Sequence, residues 1–161
     1  MQGDERFSEF FAARAPALRR TAYLIVHDWH GAEDVTQLSF ARLFLVWPRV
    51  REETIEAYAR KIVVNEALDW IRRHRRESVT ASFTDVAAEP ASESPIDLRR
   101  ALDMLTTQQR AIVALRFLDD QSVAEVARIL DIAEGSVKSQ TSRALATLRA
   151  RVPELVLAEE D

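Results

Sequence analysis

Ser122-Val-Ala-Glu-Val-Ala-Arg-Ile-Leu130, then Asp131-Ile-Ala-Glu134, then Gly135-Ser-Val-Lys-Ser-Gln-Thr-Ser-Arg-Ala-Leu-Ala-Thr-Leu-Arg-Ala-Arg151 is the stretch whose reading decides the fold. Ser122 followed three residues later by Glu125 has the pattern of a capping box, so a helix is expected over 122–131. Its buried stripe is expected to be Val123, Val126, Ala127 and Leu130. A short turn, 131–134, precedes a second helix over 136–151. Two short helices joined by a tight turn have helix-turn-helix spacing. Projected at 100° per residue, Val137, Thr141, Ala144, Leu145, Leu148 and Val152 face the core. Ser139, Ser142, Arg143 and Ala146 fall opposite, with Lys138 and Gln140 flanking them. Small residues let such a helix sit deep in the major groove, where Lys138, Gln140 and Arg143 can reach base edges or phosphates. A solvated surface helix is the alternative; the capped helix and turn before it favour DNA.

The remaining sequence agrees with an all-α protein. Ala, Leu, Arg and Glu dominate its 161 residues, and only three are Gly. Helices are expected at 5–28, 31–46 and 55–76, with Pro48 helping to stop the second, and at 97–104 and 107–118 before the motif. Residues 78–96 are rich in Ser, Thr, Ala and Pro and lack helical periodicity, which marks a flexible linker. Three parts follow: 1–77, an acidic linker 78–96, and 97–161.

Cysteine is absent, which excludes disulfides, zinc fingers and thiol catalysis. No apolar run reaches the roughly 20 residues of a membrane span, and the charged start MQGDERF has no signal-peptide core, so an intracellular protein is expected. The net charge of −4 is unevenly spread. Lys138, Arg143, Arg149 and Arg151 form one basic patch, and Arg72-Arg73-His74-Arg75-Arg76 another. Between them Glu77, Asp85, Glu89, Glu93 and Asp97 form an acidic strap without a base.

The helix at 55–76 places Tyr58, Lys61, Ile62, Asn65, Asp69, Arg72, Arg73 and Arg76 on one stripe, opposite Ala59, Val63, Ala67, Trp70 and Ile71. Cations that neutralise phosphate, a ring that stacks on an unpaired base and an amide that reads a base edge suit nucleic acid; a polar face whose Arg residues only solvate it is the equal alternative from this helix alone. In the helix at 31–46, apolar residues from Leu38 to Trp47 cover almost the whole circumference. One face meets the domain's core; another is expected to meet a partner, with Asp34, Gln37 and Ala41 as its polar rim, the alternative being a helix that is simply central. His27-Asp28-Trp29-His30 with Glu33 and Asp34 are possible metal ligands, but they sit at a helix end without a third anchoring motif; no metal and no cofactor are expected. No phosphate-cradling glycine loop is present, so nucleotide hydrolysis has no support, and an enzyme is not expected.

Three segments together resemble bacterial sigma factors of the extracytoplasmic-function type, which keep sigma domains 2 and 4. Gly31-Ala-Glu-Asp-Val-Thr-Gln37 with Phe40 and Leu43 is similar to the family's polymerase-binding helix. The segment from Ala57 to Arg73 is similar to the part that engages the −10 element. Leu105 to Arg116, Ser122 to Ala127, Glu134 to Ser139 and Arg143-Ala-Leu145 are similar to domain 4, which reads the −35 element. The resemblance implies a transcription initiation factor of the bacterial cytoplasm and nucleoid. Its partners would be core RNA polymerase, through the β′ clamp helices and β flap, and promoter DNA; an anti-sigma factor clamping both domains is compatible with it. Asp34, Gln37, Leu38 and Ala41 would bind polymerase. Tyr58, Lys61, Asn65, Arg72, Arg73 and Arg76 would bind −10 DNA. Lys138, Ser139, Gln140, Ser142 and Arg143 would bind −35 DNA. The acidic strap would thread a cationic polymerase channel until the transcript displaces it. The family often has Gly at the position of Asp131, Ser at Ala133 and Glu at Leu38, and its Phe-Arg-Gly pattern is missing from 48–56. The rival reading is a helix-turn-helix activator that binds DNA without polymerase.

Overall fold

The computed structural model describes residues 2–80 and 96–155, and side chains within 2–75 and 98–155. Among them every regular element is helical. The chain divides into two compact units, Met1–Ala88 and Glu89–Asp161.

The first unit packs three helices pairwise: α1 (Gln2–Val26), α2 (Trp29–Val46) and α3 (Ile55–Thr80). Ile25, Val35, Leu43, Val63 and Val64 are fully buried between them. α1 stops two residues before the expected end because His27 adopts a left-handed backbone, φ 61°, which reverses the chain. α2 starts earlier than expected. Asp28 is its N-cap and accepts a hydrogen bond from the Gly31 N–H at 3.2 Å, satisfying one of the orphan donors of the first turn. The Asp28 carboxylate is thus occupied in capping. Among the described residues no group of three His, Cys, Asp or Glu is placed to hold a metal ion. α2 ends at Val46, where Trp47-Pro48-Arg49 form a 3-10 turn. A second such turn, Glu52–Thr54, leads into α3. α3 continues to Thr80, past the expected start of the linker at 78; the rest of that segment, 81–95, lies outside the described residues.

The second unit contains α4 (Ile96–Asp103), α5 (Thr107–Val113), α6 (Val123–Leu130) and α7 (Glu134–Arg151). The helix expected over 107–118 changes character at Ala114, where a π turn runs to Leu118. α5 opens with a complete capping box. Thr106 Oγ1 accepts from the Gln109 N–H at 3.1 Å, and Gln109 Oε1 accepts from the Thr106 N–H at 3.0 Å. At Ser122 only half of the expected box forms. Ser122 Oγ accepts from the Glu125 N–H at 3.1 Å, but the Glu125 carboxylate pairs with Arg128 at 2.9 Å. The buried side of α6 is Val126, Ala127 and Ile129, with Val123 and Leu130 only half-buried. The stripe is rotated towards Ile129 because α6 rests on both α7 and the π turn.

Candidate nucleic-acid and polymerase interfaces

α7 buries Val137, Ala144, Leu145 and Leu148, with Val152 beyond its end. This leaves Lys138, Ser139, Ser142, Arg143 and Ala146 exposed on the other side. The turn before it depends on Asp131, which caps α6 in the left-handed region at φ 56°, ψ 50°. A non-glycine residue is strained there, and Asp less than most. Ala133 is the N-cap of α7 and makes no side-chain hydrogen bond. Gln140 differs from its neighbours: it is half-buried, and its Oε1 accepts from Gln109 Nε2 on α5 at 2.9 Å.

On α3, Ala59, Val63, Val64, Ala67 and Ile71 face the core, with Trp70 half-buried. Tyr58, Lys61, Asn65, Asp69, Arg72 and Arg73 are exposed; the Arg76 side chain lies outside those described. Arg72 is paired within the stripe, its guanidinium 2.6 Å from Asp69. His74 stacks on Trp70, ring centroids 3.7 Å apart at 17°, and its Nδ1 lies 2.9 Å from the Trp70 carbonyl. Tyr58 also lines an open groove of about 390 Å³ with Val46, Arg49, Val50, Arg51 and Thr54. Ion pairs Arg6–Glu52, at 3.1 Å, and Arg14–Glu56 tie α1 to the segment beside that groove. Arg49 and Arg51 were not among the expected contacts, since no periodicity marks a residue between two helices.

α2 buries Val35, Thr36, Ser39, Phe40 and Leu43 and leaves Asp34, Gln37, Leu38 and Ala41 exposed, joined by Phe44 and Leu45 at 48% and 76% exposure. Phe7, Phe11, Phe40, Ala41, Phe44 and Leu45 line an apolar groove of about 430 Å³. The Phe7 ring holds one wall, edge-on to Phe44 at 5.0 Å and to Trp47 at 5.3 Å. Beside the groove a polar chain runs along the helix: Arg19 pairs with Glu33 at 3.2 Å, and Gln37 Nε2 donates to Glu33 at 3.3 Å. Gln37 therefore keeps its carbonyl oxygen for other partners. On the same helix Arg42 reaches Glu66 of α3 at 2.8 Å, where that carboxylate is buried. Phe44 and Leu45 belong to the expected all-round apolar stretch; the groove with α1 needed the tertiary structure.

Both units match known family models. Residues 10–77 match the family model "Sigma-70 region 2" and residues 96–148 match "Sigma-70, region 4". The chain is 33% identical over 148 residues to the RNA polymerase sigma-E factor of Streptomyces coelicolor, covering 89% of this chain and 84% of that protein. It is 33% identical over 147 residues to the ECF RNA polymerase sigma factor SigM of Mycobacterium tuberculosis, covering 88% and 74%. A similar solved structure is the sigma factor RpoE in complex with the anti-sigma factor NepR from Bartonella quintana, at TM-score 0.79 and 26% identity, covering 93% of this chain and 98% of that one. No described helix is long and apolar enough to cross a membrane. With both sigma regions matched in order and relatives of this identity along most of its length, the chain belongs to the ECF-type RNA polymerase sigma factors, initiation factors that direct the polymerase to promoters.

Proposed function

We propose how the surfaces divide that work. α2 docks on core polymerase through Asp34, Gln37, Leu38 and Ala41, with Phe44 and Leu45 extending the contact into the apolar groove and the β′ clamp helices as the receiving element. The exposed stripe of α3 takes the −10 element. Tyr58, Lys61 and Asn65 meet unpaired bases, and Arg72, Arg73 and Arg76 meet backbone phosphate. α7 meets the −35 duplex through Lys138, Ser139, Gln140, Ser142 and Arg143, and its unit rests on the β flap. The protein works by binding and positioning, without bond chemistry of its own, in the bacterial cytoplasm at the nucleoid.

The observation that carries this reading is the uncovered apolar face of α2 in the same unit as the amide and cation stripe of α3. An activator acting on DNA alone has no use for that face, and monomeric proteins rarely leave contiguous apolar surface uncovered without a partner. The RpoE of Bartonella quintana was crystallised with an anti-sigma factor. A protein of that kind, competing with polymerase for α2, is proposed here too.

Run-off transcription with bacterial core polymerase on a promoter library, paired with gel shifts with and without the core, tests the division. Selective initiation and a core-dependent shift support it. Tight, sequence-specific binding to duplex DNA without core would favour the activator instead.

A further inference from the structure

The Thr106 backbone N–H only donates, so the Gln109 atom it meets at 3.0 Å is the carbonyl oxygen Oε1. That orientation sends the Gln109 Nε2 towards α7, where it donates to Gln140 at 2.9 Å. An amide N–H₂ only donates, so the Gln140 atom it meets is Oε1. The helix cap of α5 therefore dictates, through one amide, which way the amide of a residue 31 positions later points.

We propose that this relay makes Gln140 a donor-only reader of the −35 duplex, with Gln109 as the residue that positions it. The inference rests on the assignment of α7 to that duplex. A glutamine reading adenine in the usual bidentate way uses its N–H₂ and its carbonyl together, on N6 and N7. In Gln140 the carbonyl oxygen is turned to the Gln109 N–H₂ on α5, away from the N–H₂ end of the amide, which is left for the DNA. That group suits the acceptor edges of guanine (O6, N7) and thymine (O4) and opposes cytosine, whose major-groove edge offers a donor. Half-burial suits this role, because a side chain held against α5 loses less freedom when it binds.

The reagent that separates orientation from mere presence is Gln109→Glu. A glutamate at this position of the cap still accepts from the Thr106 N–H, so the capping box is kept. Its second oxygen can only accept, so it draws the Gln140 N–H₂ inward and turns the carbonyl towards the DNA. The experiment is selection from a promoter library randomised across the −35 region, using the full-length chain assembled with bacterial core polymerase. The unaltered protein is expected to favour guanine or thymine at one base pair. Gln109→Glu is expected to move the preference at that pair towards adenine or cytosine, and Gln140→Ala to flatten it. Each change is by a factor of roughly 2 to 12, the range of one net hydrogen bond. The added charge of Gln109→Glu weakens all sequences alike, so only a change of rank order counts in favour. Unchanged rank order in both variants, while Arg143→Ala weakens −35 selection, overturns the inference and leaves the α7 assignment standing. Intact −35 selection in Arg143→Ala overturns both.

Discussion

Gly31 and the Trp70 ring leave no room for another carbon: a Cβ on Gly31 would lie 2.5 Å from Cζ2 and 2.7 Å from Cε2 of the indole. The pair joins the start of α2 to α3, and the same ring carries the His74 stack within the arginine cluster. In a solvated helix, replacing Gly by Ala is expected to stabilise by about 1 kcal/mol. Here the obstacle is a rigid ring and not the end of a flexible side chain, so overpacking wins. Gly31→Ala is expected to lower the stability of the first unit by about 1–2 kcal/mol net, measured by urea unfolding. In a Trp70→Leu background the same substitution should be neutral or stabilising. A stabilised single variant would show that the indole moves freely.

The Arg42–Glu66 pair has an uneven exposure, with the carboxylate 7% and the guanidinium 59% exposed. Arg42→Ala leaves a buried carboxylate without its cation. Breaking a fully buried pair costs about 3–5 kcal/mol; because the Arg42 end is solvated, a loss of about 1–2 kcal/mol is expected. Arg42→Ala combined with Glu66→Gln should recover part of it. A double-mutant cycle in thermal unfolding measures the coupling, and strict additivity would argue against it.

The turn before α7 is assembled with two suboptimal residues. Ala133→Ser supplies the missing N-cap and is expected to stabilise by about 0.5–2 kcal/mol. Asp131→Gly removes the left-handed penalty of about 1–2 kcal/mol but frees the unfolded chain, so its net gain should be smaller. Calorimetry of the full-length chain should show the Ala133→Ser rise in the transition of the second unit only.

Asp69 occupies a guanidinium on the stripe proposed for the −10 element. Asp69→Asn releases Arg72 at little cost, since exposed ion pairs contribute about 0–1 kcal/mol. Holoenzyme carrying Asp69→Asn is expected to bind promoter fragments more tightly at low salt. The logarithmic salt slope should steepen by about one unit, the signature of one more phosphate contact. An unchanged slope would place Arg72 away from the DNA.

The two proposed docking functions should separate by mutation. Arg143→Ala is expected to weaken −35 recognition by about 1–3 kcal/mol and to leave the affinity for core polymerase intact. Leu45→Glu, Asp34→Ala and Gln37→Ala are expected to do the reverse. Fluorescence anisotropy with core polymerase and with −35 promoter fragments reads both quantities. Loss of polymerase binding in Arg143→Ala would contradict the separation of surfaces.

Helical periodicity makes much of this protein legible in its sequence. The buried residues of α7 and the exposed Lys138, Ser139, Ser142 and Arg143 lie where a projection at 100° per residue puts them. The same holds for Tyr58, Lys61 and Asn65 on α3. Local backbone chemistry was legible too: Pro48 lies two residues past the end of α2, and Asp131 takes a left-handed conformation at the position where the family often has Gly. Both depend on residues within a few positions of each other.

Competition between partners was not legible. Glu125 had the spacing to cap α6 and instead bonds Arg128, while the complete box formed at Thr106 and Gln109. Ile129 displaced Leu130 from the core because α6 meets two neighbours and not one. The ending of α1 at His27 and the π turn at Ala114 leave no pattern in the sequence.

By itself, then, the sequence determined the helices, their exposed faces and, through its motifs, the family. The tertiary structure alone decided why Gly31 is required, which apolar residues of α2 stay uncovered and which way the Gln140 amide points. The first set rests on 3.6-residue periodicity and on caps that close within one turn. The second rests on contacts between Gly31 and Trp70, Phe7 and Phe44, and Gln109 and Gln140, whose partners are brought together only by helix packing.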